Sequence, residues 1–159
     1  MKRTAKGFSL IELLIVVAII LIIAAIAIPN LLRSRIAANQ ASAVGSLKAI
    51  NTAEVAYTTT YNIGYSAALV NLAPPSSGQP TSTSAGLIDS TLASGTKAGY
   101  TLTYTASTAV NGQVPGYTVT ASPQAVGQTG QNFYFTDESD VIRFNTSATA
   151  AVTDSPIGG

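Results

Sequence analysis

The sequence predicts an α+β protein: one long N-terminal helix, apolar in its first half and amphipathic in its second, packed on a head with a small antiparallel sheet of about four strands. Three observations carry this. Leu13 to Ile28 is a sixteen-residue run without a charge. From Leu32 to Tyr57 apolar residues recur at three- and four-residue steps, the period of a helix with one buried face. Two later segments alternate, with Tyr100, Leu102 and Tyr104 set between Thr101, Thr103 and Thr105, and Tyr117, Val119 and Ala121 between Thr118, Thr120 and Ser122. That is the period of a half-buried sheet.

The N-terminus is the stretch around which the rest is organised. Lys2, Arg3 and Lys6 precede Gly7-Phe8-Ser9-Leu10-Ile11-Glu12, and Pro29 closes the apolar run. Phe8 to Ile28 makes about 31 Å of helix at 1.5 Å per residue, enough to span a bilayer core. Glu12 interrupts that segment, and an unpaired carboxylate at mid-bilayer costs at least about 2.5–3.5 kcal/mol, so it needs a partner. A secretory signal peptide is the ordinary alternative, with Ala25-Ile26-Ala27 supplying its cleavage site. The length of the run and the presence of Glu12 argue against a cut there. The basic residues hold the leader on the cytoplasmic side, with the helix C-terminus outside. Pro29, which lacks an N–H and clashes with the preceding turn, predicts a kink.

Lys6-Gly7-Phe8-Ser9-Leu10-Ile11-Glu12, the apolar helix behind it and Ala27-Ile28-Pro29-Asn30 resemble the N-terminus of the type IV pilins and their pseudopilin relatives. The resemblance covers about the first third of the chain. It implies a prepilin peptidase that cuts after Gly7 and N-methylates Phe8, and a Glu12 that attracts the terminal amine of the neighbouring subunit during assembly. It also implies the family's shape, in which the apolar half of the helix serves as membrane anchor and then filament core. The glycine after which relatives unwind is absent, since Leu21 lies in an unbroken Ile19–Ile23 run. The disulfide of many relatives is absent too, because the chain has no cysteine.

In chain order the expected divisions are a leader over 1–7, a transmembrane or filament-core helix over 8–29 and an amphipathic helix over 30–60. A connecting loop over 61–98, a sheet over 99–145 and a tail over 146–159 follow. Leu32, Ile36, Ala43, Leu47, Ile50, Glu54 and Tyr57 form the buried stripe of the second helix, while Arg33, Arg35, Asn39, Gln40 and Ser46 lie elsewhere. Pro74-Pro75-Ser76-Ser77-Gly78 and Thr81-Ser82-Thr83-Ser84 mark the loop, which Leu69, Val70 and Leu72 tack to the core. Asn111-Gly112 lies between the first two strands. Asn132–Thr136 and Val141–Asn145 pair around Asp137-Glu138-Ser139-Asp140, and the small, polar stretch from Thr146 is a loosely held tail.

Composition narrows the function classes. Apolar residues are 47% of the 159 and charged residues only 9%. Removing 1–7 leaves five basic side chains against seven acids, so no basic field remains to hold nucleic acid. With neither His nor Cys, zinc sites and His- or Cys-based catalysis are excluded. A serine nucleophile would have only Lys48 or Lys97 as base, and no pair among Glu54, Asp89, Asp137, Glu138, Asp140 and Asp154 is spaced as a site. Neither an enzyme nor a cofactor is expected.

Asp137, Glu138 and Asp140 supply oxygen ligands of the kind calcium takes, yet without an EF-hand's glycine and spacing they read as a solvated turn. Tyr57, Tyr61 and Tyr65 read as caps of a helix-to-loop contact rather than an electron path, and Asn145-Thr146-Ser147 matches a glycosylation sequon. The resemblance implies a structural subunit, a major pilin that polymerises with itself into a thin surface filament. Its partners are then the prepilin peptidase and the pilus assembly machinery of the inner membrane. The precursor sits in that membrane as a single pass and the product in an extracellular pilus. The alternatives are a pseudopilin of a type II secretion system, or a surface binding module on an uncleaved signal anchor.

Overall fold

The computed structural model describes residues 7–158, so Lys2, Arg3 and Lys6 lie outside the described residues. The chain divides into two compact units, Met1–Arg35 and Ile36–Gly159. Helix α1 spans Leu10–Tyr61 and carries Pro29 inside it. From Leu13 to Ile28 the helix is apolar on every face, so no stripe distinguishes a core side. Residues 21–29 are helical throughout.

The second unit is the head. Strands β1 (Thr96–Lys97), β2 (Tyr100–Ala106), β3 (Tyr117–Pro123), β4 (Phe133–Asp137) and β5 (Arg143–Asn145) form one antiparallel sheet in sequential order. Tyr100, Leu102, Val119, Ala121 and Tyr134 point to one face and join Ala43, Leu47, Ile50, Ala53 and Tyr57 of α1 in a single core. The alternation predicted for β2 and β3 is therefore the observed one, with Leu102 opposite Ala121 and Tyr104 opposite Val119. The helical stripe holds only from Ala43 onward: Leu32 stays 44% exposed, and Ile36 is half-buried. Ser46, expected elsewhere, is buried, and its hydroxyl donates to the Ser42 carbonyl at 2.9 Å, which removes the cost of hiding it.

Three stretches are more ordered than the sequence suggests. Within 61–98, a 3-10 turn at Leu69–Leu72 buries Leu69 and Leu72 but leaves Val70 exposed, and a short helix α2, Ser90–Ala93, is capped by Asp89. The sheet gains a fifth strand there, because Ala98 (φ 49°) and Gly99 (φ 74°) make a tight turn that returns Lys97 onto Tyr100. An alanine at positive φ is an uncommon turn residue, so no sequence signal marks β1. The tail is held rather than loose. Phe144 N–H donates to Ser155, Ile157 N–H donates to Ile142, and Ala150 is buried, so residues 146–157 cover the β5 edge.

Candidate functional site

Gly7 and Phe8 precede the helix, and Phe8 is 76% exposed. From Phe8 to Ile28 every Phe, Leu, Ile and Val side chain is 45–76% exposed. Among the described residues α1 is the one helix long and apolar enough to cross a membrane, and its most apolar window is wholly uncovered. An apolar surface of this extent is soluble only in lipid or against other protein.

Glu12 has a partner that the sequence reading missed. Its Oε2 accepts the Ser9 backbone N–H at 2.9 Å, while Leu13 N–H donates to the Ser9 carbonyl. Ser9 is the N-cap and Glu12 the third helical residue. Ser9-x-x-Glu12 is thus the signature of a capping box, here with the carboxylate half formed. A carboxylate in the first turn also meets the positive end of the helix dipole. The other oxygen of Glu12 has no hydrogen-bond partner among the described residues, and the side chain is exposed. Pro29 interrupts the ladder at the other end of the apolar run. Its missing N–H leaves the Ala25 carbonyl without an intrahelical donor, and Ser34 hydroxyl donates to the Asn30 carbonyl one turn on.

The second carboxylate of α1 lies in the head and is fully buried. Glu54 accepts Ser66 N–H at 2.9 Å, Ser66 hydroxyl at 2.5 Å and Tyr104 hydroxyl at 2.7 Å. Three donors in a dry site take the place of water around the carboxylate, and they tie the segment after α1 to strand β2. Its position in the apolar stripe was legible; its donors, 12 and 50 residues away, were not.

Tyrosines surround this cluster. Tyr104 stacks on Tyr117 with ring centroids 5.6 Å apart, Tyr117 meets Tyr65 edge-on at 4.9 Å, and Tyr57 lies 4.9 Å from Tyr61. Burial pushes the Tyr104 and Tyr117 phenols well above their usual range and the Tyr100 phenol up to about 12. The capping of helix and loop by Tyr57 is direct, since its hydroxyl donates to the Ser82 carbonyl at 2.7 Å.

The remaining candidates share no hydrogen bond with Glu12 or Glu54 among the described residues. Asp137 accepts Ser139 N–H and hydroxyl inside the β4–β5 turn, where Asp140 takes φ 61°. No cluster of three possible metal ligands is present among the described residues. Asn145 is engaged at both ends of its amide, donating to Asp154 and accepting from Ser147 N–H.

Residues 2–28 match the family described as the prokaryotic N-terminal methylation motif. The chain is 70% identical over 37 residues to a type IV wide pilus major component, PilA4, of Thermus thermophilus, covering 23% of this chain and 28% of that one. It is 52% identical over 52 residues to a type IV major pilin protein, PilA, of Myxococcus xanthus, covering 33% of this chain and 24% of that one. The chain thus matches about a quarter of the length of these curated relatives. No solved structure matches it.

Proposed function

We propose, from the premise that this chain belongs by its N-terminal segment to the type IV pilin family, that it is the major subunit of a type IV pilus. The observation that carries the reading is the uncovered apolar helix with one carboxylate in its first turn. As a precursor the segment lies in the inner membrane with Lys2, Arg3 and Lys6 on the cytoplasmic side. The prepilin peptidase cuts between Gly7 and Phe8, and the amine of Phe8, once methylated, is an ammonium two residues before the helix begins at Leu10. On assembly the helices exchange lipid for one another. Once clear of the membrane, the fibre is held against release of its helices into water by about 25 cal/mol for each Å² of apolar area kept dry.

Glu12 is already seated on the Ser9 amide, which lowers the cost of carrying it through the membrane. One oxygen remains for the terminal ammonium of a neighbouring subunit, and that pair fixes register along the fibre. Losing either member strands a buried charge at roughly 3–5 kcal/mol. Pro29 marks where the apolar core ends, and the Thr- and Tyr-rich head faces outward.

Mass spectrometry of the N-terminal peptide from filaments sheared off intact cells tests this. A peptide beginning at methylated Phe8 is expected. An intact Met1 confined to the membrane fraction would overturn the reading in favour of an uncleaved anchor, and processed Phe8 found only in the cell envelope would point to the secretion pseudopilin.

A further inference from the structure

A groove in the head runs along α1 where it faces β4, β5 and the C-terminal segment. Its wider part, about 580 Å³, is floored by Ala41, Val44, Phe144 and Ile157. It continues past Val44 and Ile157 into a hollow of about 280 Å³ walled by Lys48 and Asp140. Among the described residues the one ion pair is Lys97–Asp89, so Lys48 and Asp140 are unpaired there. Asp137 and Glu138 adjoin Asp140 in sequence, so the turn stays net negative despite Lys48. In the head as a whole three cations (Lys48, Lys97, Arg143) stand against six carboxylates.

The complement of this groove lies on the same chain. Leu31 and Leu32 are 71% and 44% exposed, although they follow Pro29 and so lie beyond the roughly 28 Å of helix from Leu10 to Ile28 that a bilayer core covers. Neither lipid nor the head's own core accounts for them. Arg35 follows Leu31 by four residues and Leu32 by three, which places two leucines and a guanidinium on one helical face. Arg33 and Arg35 are the only cations between Phe8 and Arg35.

We infer that the groove between α1 and the C-terminal segment receives the Leu31–Arg35 segment of a second copy of this chain, with its leucines on Val44, Phe144 and Ile157 and its Arg35 against Asp140. The inference rests on the pilin reading and specifies the partner surface that the apolar helix alone does not define. The contact is heterologous, because each copy offers a different surface to its neighbours on either side. It therefore generates an open chain rather than a closed dimer.

The natural absence of cysteine makes the test clean. Leu32→Cys with Ile157→Cys alters two exposed positions, and oxidation of sheared filaments is expected to shift the chain from monomer into a ladder of multimers. Leu32→Cys with Val126→Cys, exposed but off the groove, is the control and should remain monomeric. Filaments of normal yield that give no ladder, a ladder no stronger than the control, or dimers alone would each overturn the groove while leaving the pilin reading intact. Loss of processed surface filament in the unmodified chain would instead overturn the pilin reading. A charge exchange decides the case independently of the cysteines. Arg35→Glu and Asp140→Lys should each lower filament yield and together restore it, and failure of the pair to restore what both singles lose contradicts the contact.

Discussion

Helix α1 carries two glutamates, and their surroundings differ as the two halves of the helix do. Glu12 is exposed in a segment whose Phe, Leu, Ile and Val side chains are uncovered, with a single hydrogen bond to Ser9 and one oxygen without a partner among the described residues. Glu54 is buried in the head, with three donors on its two oxygens. Among the described residues one carboxylate has donors on both oxygens and the other on one. The same contrast holds for the apolar residues: those from Ala43 to Tyr57 find a sheet, whereas those from Phe8 to Ile28 find no cover. A saturated carboxylate in a packed core stabilises one fold, while an exposed one on an uncovered helix keeps an oxygen for the intermolecular pair proposed above.

The widest way to break the comparison is to remove each acid in turn. Glu12→Val is expected to abolish sheared filament, read by electron microscopy of the shear fraction, while the head melts as before. If the variant assembles at the unmodified level, the role given to Glu12 is wrong. Glu54→Ala should do the reverse to stability, lowering the head by about 3 kcal/mol because Ser66 N–H and the Tyr104 and Ser66 hydroxyls lose their acceptor. Thermal melting by circular dichroism in detergent reads it, and an unchanged midpoint would mean that water replaces the carboxylate.

Gly64→Ala tests the same join through the backbone. Gly64 sits at φ +79°, and an added Cβ would lie 2.3 Å from the Val114 carbonyl oxygen, so a loss of about 2–4 kcal/mol is expected by the same melting assay. Tyr104→Phe, which removes one of the three donors to Glu54 but keeps the stacked ring, should cost about 1 kcal/mol.

Alkaline titration sharpens the contrast without mutation. Burial raises the phenols of Tyr57, Tyr65, Tyr100, Tyr104, Tyr117 and Tyr134 above the ordinary 10.0, so the folded head holds more protons than the unfolded chain once pH passes 10. Stability is then full below pH 10 and falls as pH rises through 10 toward about 12, where Tyr100 titrates. Phenolate absorbance and loss of the near-ultraviolet dichroism should rise together in that window. A dichroism loss at lower pH would assign alkaline sensitivity to other groups.

Much of this molecule was legible because period and burial agree. The apolar run, the stripe from Ala43 and the alternation in β2 and β3 each follow from side chains that face one environment. What the sequence concealed depends on pairings across long separations or on unusual backbone. Strand β1 turns on Ala98 at positive φ, the tail is held by backbone bonds to Ile142 and Phe144, and Glu54 finds Tyr104 fifty residues on. The capping box at Ser9 and Glu12 is different, since its spacing is local and was open to reading. The groove over Val44 was hidden, because its floor comes from α1, β5 and the C-terminal segment together.

The most direct measurement is a cryo-electron microscopy reconstruction of filaments sheared from cells, at a resolution that shows side chains. The account predicts the Phe8–Ile28 helices bundled along the filament axis, with a carboxylate oxygen of Glu12 within hydrogen-bond distance of the terminal amine of a neighbouring subunit's Phe8. A filament whose core is built from heads, with the apolar helices outside and Glu12 bonded only to its own Ser9 amide, would contradict it.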